Sequence, residues 1–182
     1  MKIIGKKYKI NFAIVGLVIS FLLLGCTQSK KEEYLTKIFN GEFDELGTET
    51  GYINSSGDTV IALGKYYYCY TDTFRNYAIV LEKGGRCIAI DKHEKELFEI
   101  FWYDNGPDYI SEGLFRIKKN EKIGYANKDG EIMIKPRFDC AFPFQNGKAK
   151  VSVDCETVFE GEYRRWESKN WFYIDKQGKK IE

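Results

Sequence analysis

The sequence predicts an all-β fold, a degenerate array of short antiparallel strands and hairpins preceded by an N-terminal helix. Three observations carry this reading. One turn-forming unit is written four times, as Tyr-Ile-Asn-Ser-Ser-Gly (Tyr52 to Gly57), Ala-Ile-Asp-Lys-His-Glu (Ala89 to Glu94), Tyr-Ala-Asn-Lys-Asp-Gly (Tyr125 to Gly130) and Tyr-Ile-Asp-Lys-Gln-Gly (Tyr173 to Gly178), at intervals of 37, 36 and 48 residues. Between the copies, apolar and polar residues alternate with the period of a strand that buries one face. Aromatic residues, 16% of the chain, gather at Tyr66 to Tyr70 and Phe98 to Tyr103, where they suit cross-strand pairs and a thin β core.

The first element is the exception to the β pattern. Lys2, Lys6, Lys7 and Lys9 form a basic start, and an uninterrupted apolar run from about Phe12 to Leu24 follows. That is the layout of a secretory signal helix. The run is short for a membrane span, which needs roughly 20 apolar residues, although an uncleaved N-terminal anchor is the alternative. Leu23-Leu24-Gly25-Cys26 resembles the lipobox of bacterial lipoproteins. The resemblance implies a signal peptide at 1–25, cleavage before Cys26, lipid attachment (palmitate and related acyl chains) at Cys26, and a membrane as partner. Two or three acyl chains, at about 0.8 kcal/mol per buried methylene, hold a protein firmly.

Residues 26–33 are polar and lack apolar periodicity, as expected of a tether. Lys31-Glu32-Glu33 resembles a surface-export signal of envelope lipoproteins and reads equally as a solvated linker. Thr27, where Asp would favour inner-membrane retention, resembles outer-membrane sorting in a Gram-negative cell. The expected location is therefore the cell envelope, on the outer side of a bacterial membrane.

The 156 residues beyond Cys26 suit one domain with a real core, placed at 34–182. Four of the 28 basic residues lie in the leader and all 27 acidic ones lie beyond it, so the remainder carries an acidic excess of three. Such a balance argues against nucleic acid, whose phosphates need a cationic surface.

Within the domain, the Asn or Asp of each turn unit is expected to open a type I turn through its side chain, and the Gly three residues on to close a bulged hairpin in the left-handed conformation. Glu94 stands where the other copies have Gly and should strain its turn modestly. A second repeated element is Phe74-Arg75-Asn76-Tyr77, Ile110-Ser111-Glu112-Gly113 and Phe144-Gln145-Asn146-Gly147, each followed by a strand-like alternation. In those strands Phe115 and Ile117, or Ala149 and Val151, share one face, with Arg116 or Lys150 on the other. Each repeat then amounts to about three short strands. Ile38-Phe39-Asn40-Gly41 looks like the tail of a partial N-terminal copy that caps the array.

The stretch Gly113 to Val151 resembles a WG (KWG) repeat through Gly113, Leu114, Ile117, Lys122, Gly124, Tyr125, Gly130, Ile134, Pro136, Phe138, Phe144 and Gly147. The name-giving pair is split, with Ile123 beside Gly124 and Trp171 beside Phe172. The resemblance implies an all-β repeat architecture, often in the bacterial envelope, and no known active site. The longer last interval holds an insertion around 156–170, which Glu160-Gly161 turns into a lengthened hairpin that either projects a binding face or covers the C-terminal edge.

The chemistry expected is binding rather than catalysis, with no cofactor and no metal. His93, the single histidine, falls in a turn, and a zinc site would need Cys and His in paired short spacings. Cys69, Cys87, Cys140 and Cys155 contain no Cys-x-x-Cys pair. A Cys140–Cys155 disulfide is attractive if the segment from Phe138 to Phe144 lies beside the strand ending near Asp154; small buried thiols are the alternative. Tyr66, Tyr68 and Tyr70 are expected on one face of a strand and Tyr67 on the other. Trp102, Tyr103, Tyr163 and Trp166 are the candidate contacts for a protein or glycan. The competing readings are an accessory or catalytic domain acting on envelope polymers, with carboxylates near Trp102 or Trp166 as acid and base, and an immunity-type lipoprotein that recognises one cognate protein.

Overall fold

The computed structural model describes residues 33–42, 47–161 and 163–181, and for Tyr163 and Arg164 the backbone alone. The expected signal helix, Cys26 and most of the tether lie outside the described residues.

The described chain is all-β and organised as four three-stranded meanders. The first unit is β1 (Leu35–Asn40), β2 (Glu49–Ile53) and β3 (Thr59–Ile61); the second is β6 (Ala78–Leu81), β7 (Cys87–Ile90) and β8 (Glu96–Ile100). The third is β11 (Leu114–Lys119), β12 (Lys122–Asn127) and β13 (Ile132–Phe138). The fourth is β15 (Ala149–Ser152), β18 (Phe172–Ile174) and β19 (Lys180–Ile181), interrupted by the hairpin of β16 (Glu156–Glu160) and β17 (Tyr163–Glu167). Short strands join the units: β4 (Tyr68–Cys69), β5 (Thr73–Phe74), β9 (Trp102–Tyr103), β10 (Gly106–Pro107) and β14 (Cys140–Ala141). Ile38 to Asn40, read from the sequence as the tail of a partial copy, form the body of β1, which pairs with β2 along its length.

The four turn units recur in atomic detail. The side-chain Oδ1 of Asn54, Asp91, Asn127 and Asp175 each accepts two backbone N–H groups, from the residues two and four positions on. The fourth residue of each turn has positive φ: 90° at Gly57, 60° at Glu94, 84° at Gly130 and 77° at Gly178. Glu94 thus adopts the glycine conformation, as the repeat pattern demanded. In the second repeated element, Glu112-Gly113 and Asn146-Gly147 both take positive φ and form two-residue hairpin turns. Arg75-Asn76 do not, so the first copy of that element differs from the other two.

Units two and three fuse through the β8–β11 pairing into a seven-stranded sheet, β13-β12-β11-β8-β7-β6-β4. Sheets β3-β2-β1-β5 and β14-β15-β18-β19 form from the outer units. On one face of the long sheet, Ala78, Val80, Ile88 and Ile90 pack with Leu35, Tyr52, Ile61 and Phe74 of the first unit and its connection. Leu114, Ile123, Tyr125 and Ile134 pack with Ala141, Phe144, Ala149, Val151 and Ile174 toward the fourth. The other face holds Tyr68, Leu81, Ala89, Phe98, Phe115, Ile117 and Ala126, all from the long sheet itself. That sheet therefore curls on its own core, and Tyr77 at its start reaches the turn at Gly130, where an added Cβ would lie 2.6 Å from the ring. Burial on both faces explains why β7 reads Cys-Ile-Ala-Ile without a polar residue.

Gly51 and Gly124, each just before the tyrosine of its turn unit, have a packing reason. A Cβ on Gly51 would stand 2.5 Å from the Ile61 carbonyl oxygen, and one on Gly124 would stand 2.4 Å from that of Ile134. Both sit where the second strand of a unit meets an irregular third strand, with a register shift between Ile123 and Tyr125 and another between Tyr52 and Ile53.

The tyrosine run departs from the expected alternation. Only Tyr68 and Cys69 are strand, and the preceding residues bend. Tyr66 consequently packs against the first cluster, with Leu35 and Phe74, while Tyr68 and Tyr70 belong with Phe98 and Phe115 on the far face. Cys140 and Cys155 form a disulfide with Cα atoms 5.7 Å apart, because β14 pairs with β15 as the sequence reading required. Cys69 and Cys87 are free and buried. Burial pushes the Cys87 thiol up to about 12.

Candidate binding site

Strand parity builds the site. In β15, Ala149 and Val151 point into the core, so Lys148 and Lys150 fall on the opposite face, beside Tyr173, the cross-strand neighbour of Lys150. The Lys150 ammonium lies 4.7 Å from the Trp171 ring centre and 6.0 Å from that of Phe142, and Lys148 lies 4.6 Å from that of Tyr173. Phe142, Lys148, Lys150 and Tyr173, with Pro143, line an open groove of about 360 Å³. Phe142 and Tyr173 keep 40% and 38% of their surface exposed, which leaves ring area for a ligand.

From the groove a line of rings continues across the surface. Phe142 packs edge-on to Trp166 at 5.3 Å, and Trp166 edge-on to Phe101 at 5.8 Å. The Arg116 guanidinium stacks 4.2 Å from the Phe101 ring centre and 5.3 Å from that of Tyr103, whose other neighbour is Tyr109 at 5.7 Å. Tyr103 and Tyr109 are half exposed, at the tip of the β9–β10 hairpin and just beyond it.

Arg116 itself is buried, at 2% exposure. It faces away from Phe115 and Ile117, as its parity requires, yet that face is covered by the 101–109 connection and by Ala141. Both Asp108 oxygens accept from its guanidinium, at 2.9 and 2.5 Å; Asp108 also accepts the Arg116 backbone N–H, and the Ala141 carbonyl takes another guanidinium proton. The cluster is thereby hydrogen-bonded, the condition under which a charge tolerates burial.

Two further arrangements fix the site. At the foot of the inserted hairpin, Asp154 accepts from the Ser152 and Ser168 hydroxyls, both at 2.7 Å, and from the Asn170 amide. Those bonds hold its carboxyl at about 2, below the usual carboxylate range. On the neighbouring turns, the Glu112 carboxylate accepts the Gly147 N–H while Ser111 donates to the Phe144 carbonyl, joining the turn before β11 to the turn before β15.

The sequence-predicted contacts are distributed along this surface. Trp102 is half-buried against Phe98 and Phe115, on the inner face of the long sheet. Tyr103 is exposed in the ring line, and Trp166 is half-buried at its centre, between Phe101 and Phe142. The side chain of Tyr163 lies outside the described ones. Its backbone pairs with Glu160 around Gly161, which takes positive φ in the expected hairpin turn. His93 is exposed in its turn. Phe142, Trp171, Lys148 and Lys150 are not among the contacts that the sequence predicts, although strand parity places Lys150 on the outward face. The available signal was that no carboxylate occurs between Cys140 and Ser152 to neutralise the two lysines.

Residues 51–87 and 123–154 match the sequence model of a family described as WG containing repeat. The first runs from the second strand of the first unit to the start of β7 and the second from the second strand of the third unit to just beyond β15, so each spans one complete connection. No curated protein and no solved structure matches the chain.

Proposed function

We propose that this protein is a lipid-anchored lipoprotein of the bacterial cell envelope whose WG-repeat domain serves as a non-catalytic binding module for a glycan or protein. The observation that carries the reading is the line of part-exposed rings formed by Tyr109 and Tyr103 and, across the buried Arg116 guanidinium, by Phe101, Trp166, Phe142 and Trp171, with Arg116 fixed by Asp108. Part-exposed rings on a rigid support offer large contact area at low entropic cost, which is what recognition of a sugar face or a partner's side chain needs. Asp108, which meets the line through Arg116, spends both oxygens on that guanidinium and is 6% exposed, so it serves the scaffold. The lipobox at Cys26 supplies the anchor in this reading.

Two measurements on the full chain test it. Intact mass and membrane fractionation of the native protein beside Cys26→Ser should show a lipid-sized increment and a membrane association that the substitution abolishes. Co-sedimentation with isolated envelope material should be strong for the detergent-solubilised native chain and weak for a Phe142→Ala/Trp171→Ala variant of unchanged thermal midpoint. An unmodified chain that remains in the membrane overturns the anchor. Equal sedimentation of both proteins overturns the binding surface.

A further inference from the structure

We propose that the groove between Lys148 and Lys150 is an anion-selective saccharide site, which takes a sugar chain bearing carboxylate or phosphate groups. The inference rests on the binding-module reading and specifies its ligand.

Eight cations among the described residues are held by internal ion pairs. Lys37, Lys65, Arg86, Arg116, Lys118, Lys122, Arg165 and Lys176 each lie within ion-pair distance of an Asp or Glu. Lys148 and Lys150 meet aromatic rings instead, and among the described residues neither ammonium has a carboxylate or carbonyl acceptor. This happens in a chain with an excess of acidic residues beyond the leader, where pairing partners are abundant.

The contrast is sharpest with Arg116. Both residues occupy the central outward position of the first strand of a unit, opposite a tyrosine: Arg116 faces Tyr125 in register and Lys150 faces Tyr173. In the third unit the preceding connection delivers Asp108 to the cation. In the fourth, that connection reads Phe142-Pro143-Phe144 and delivers rings. The repeat has kept the cation and replaced its internal counter-ion with an aromatic wall, so the position is open to an external anion.

Geometry favours a sugar polymer. Lys148, just before β15, and Lys150, within it, are two residues apart, about 6.6 Å for extended chain, and their six N–H donors border an open groove rather than a closed cavity. The exposed parts of Phe142 and Tyr173 supply flat apolar faces for the C–H side of a pyranose, with the Gln145 and Asn146 amides exposed at the rim. An open groove with repeated ring and cation contacts suits a chain that passes through it, and charge-assisted bonds to lysine supply the selectivity.

Affinity electrophoresis of the detergent-solubilised full chain tests the proposal, with polygalacturonate, dextran phosphate, neutral dextran and poly-L-glutamate as probes. Lys148→Gln/Lys150→Gln is compared with the native chain and with Lys128→Gln/Lys179→Gln as a charge-matched control, each with its thermal midpoint recorded. We expect retardation by polygalacturonate, dextran phosphate or both, weakened about tenfold or more by the groove substitutions and within twofold of native in the control. The stronger of the two probes identifies carboxylate or phosphate as the recognised group. Equal retardation by poly-L-glutamate overturns the saccharide assignment, and equal loss in the control shows general charge attraction and overturns the site. Binding of dextran that ignores both lysines removes the anion selectivity while leaving the binding-module reading intact. Failure to retain any probe, together with failure to sediment with envelope material, removes both.

Discussion

Asp108 grips Arg116 at both ends, accepting the guanidinium through two oxygens and the backbone N–H of the same residue through one. The side chains are 1% and 2% exposed, so the pair is an internal fastener. It ties the connection that carries Tyr103 and Tyr109 to the strand beneath.

Breaking one side should therefore cost far more than removing both. Asp108→Ala leaves a buried, uncompensated guanidinium and is expected to lose about 3–5 kcal/mol, whereas Asp108→Leu/Arg116→Met should recover much of that loss. Urea denaturation midpoints of the two variants decide it. If the double variant is as unstable as the single one, the pair contributes through packing rather than charge.

The glycines divide into two groups by cause. At Gly57 an added Cβ meets nothing within 4 Å, and only the φ of 90° penalises a side chain, so Gly57→Ala should cost about 1 kcal/mol. Gly124→Ala would drive its Cβ into the backbone of Ile134 and Pro136 and should cost about 3 kcal/mol or more, with loss of the β12–β13 pairing. Thermal unfolding of both variants checks the order, and backbone amide exchange across residues 123–138 checks the location.

The disulfide closes a short loop at the foot of the inserted hairpin, with a sequence separation of 15. Cys155→Ser is expected to lower stability by about 3 kcal/mol. Cys69 and Cys87 should resist alkylation in the native state, because burial raises both thiols above their ordinary range. Mass spectrometry after iodoacetamide treatment, with and without urea, reads this directly.

Asp154 gives the hairpin an acid limit. Folding lowers its pKa to about 2, so the stability it contributes is complete above the unfolded carboxylate value of about 4 and is lost as pH falls through the folded one. The thermal midpoint of Asp154→Asn should lie below native at pH 6 and converge on it toward pH 2. A constant gap across that range would show that the carboxylate charge is not what holds Ser152, Ser168 and Asn170.

Local rules made much of this legible. The Asx turns at Asn54, Asp91, Asn127 and Asp175 involve residues no more than four apart, so their chemistry is complete within a short segment and reads directly from the chain. The same holds for the strained turn at Glu94 and the hairpin at Gly161. Parity placed Arg116 opposite Phe115 and Ile117, but parity names a face without saying what covers it, and the 101–109 connection covers this one. Alternation failed at Tyr66 to Tyr70 for a related reason: it presumes a continuous strand, and only two of those residues form one.

The sequence by itself determined the repeat, its turns, the three strands of each unit and the faces along each strand, because these follow from backbone conformation and from side chains bonding to near neighbours. Tertiary structure alone decided that the middle units share one sheet, that this sheet curls on its own core, and that Phe101, Phe142, Trp166 and Trp171 join into one line with Lys150 at its end. Those residues come from four separate segments. Their meeting depends on how sheets stack and bury apolar area, a global balance that no local pattern encodes.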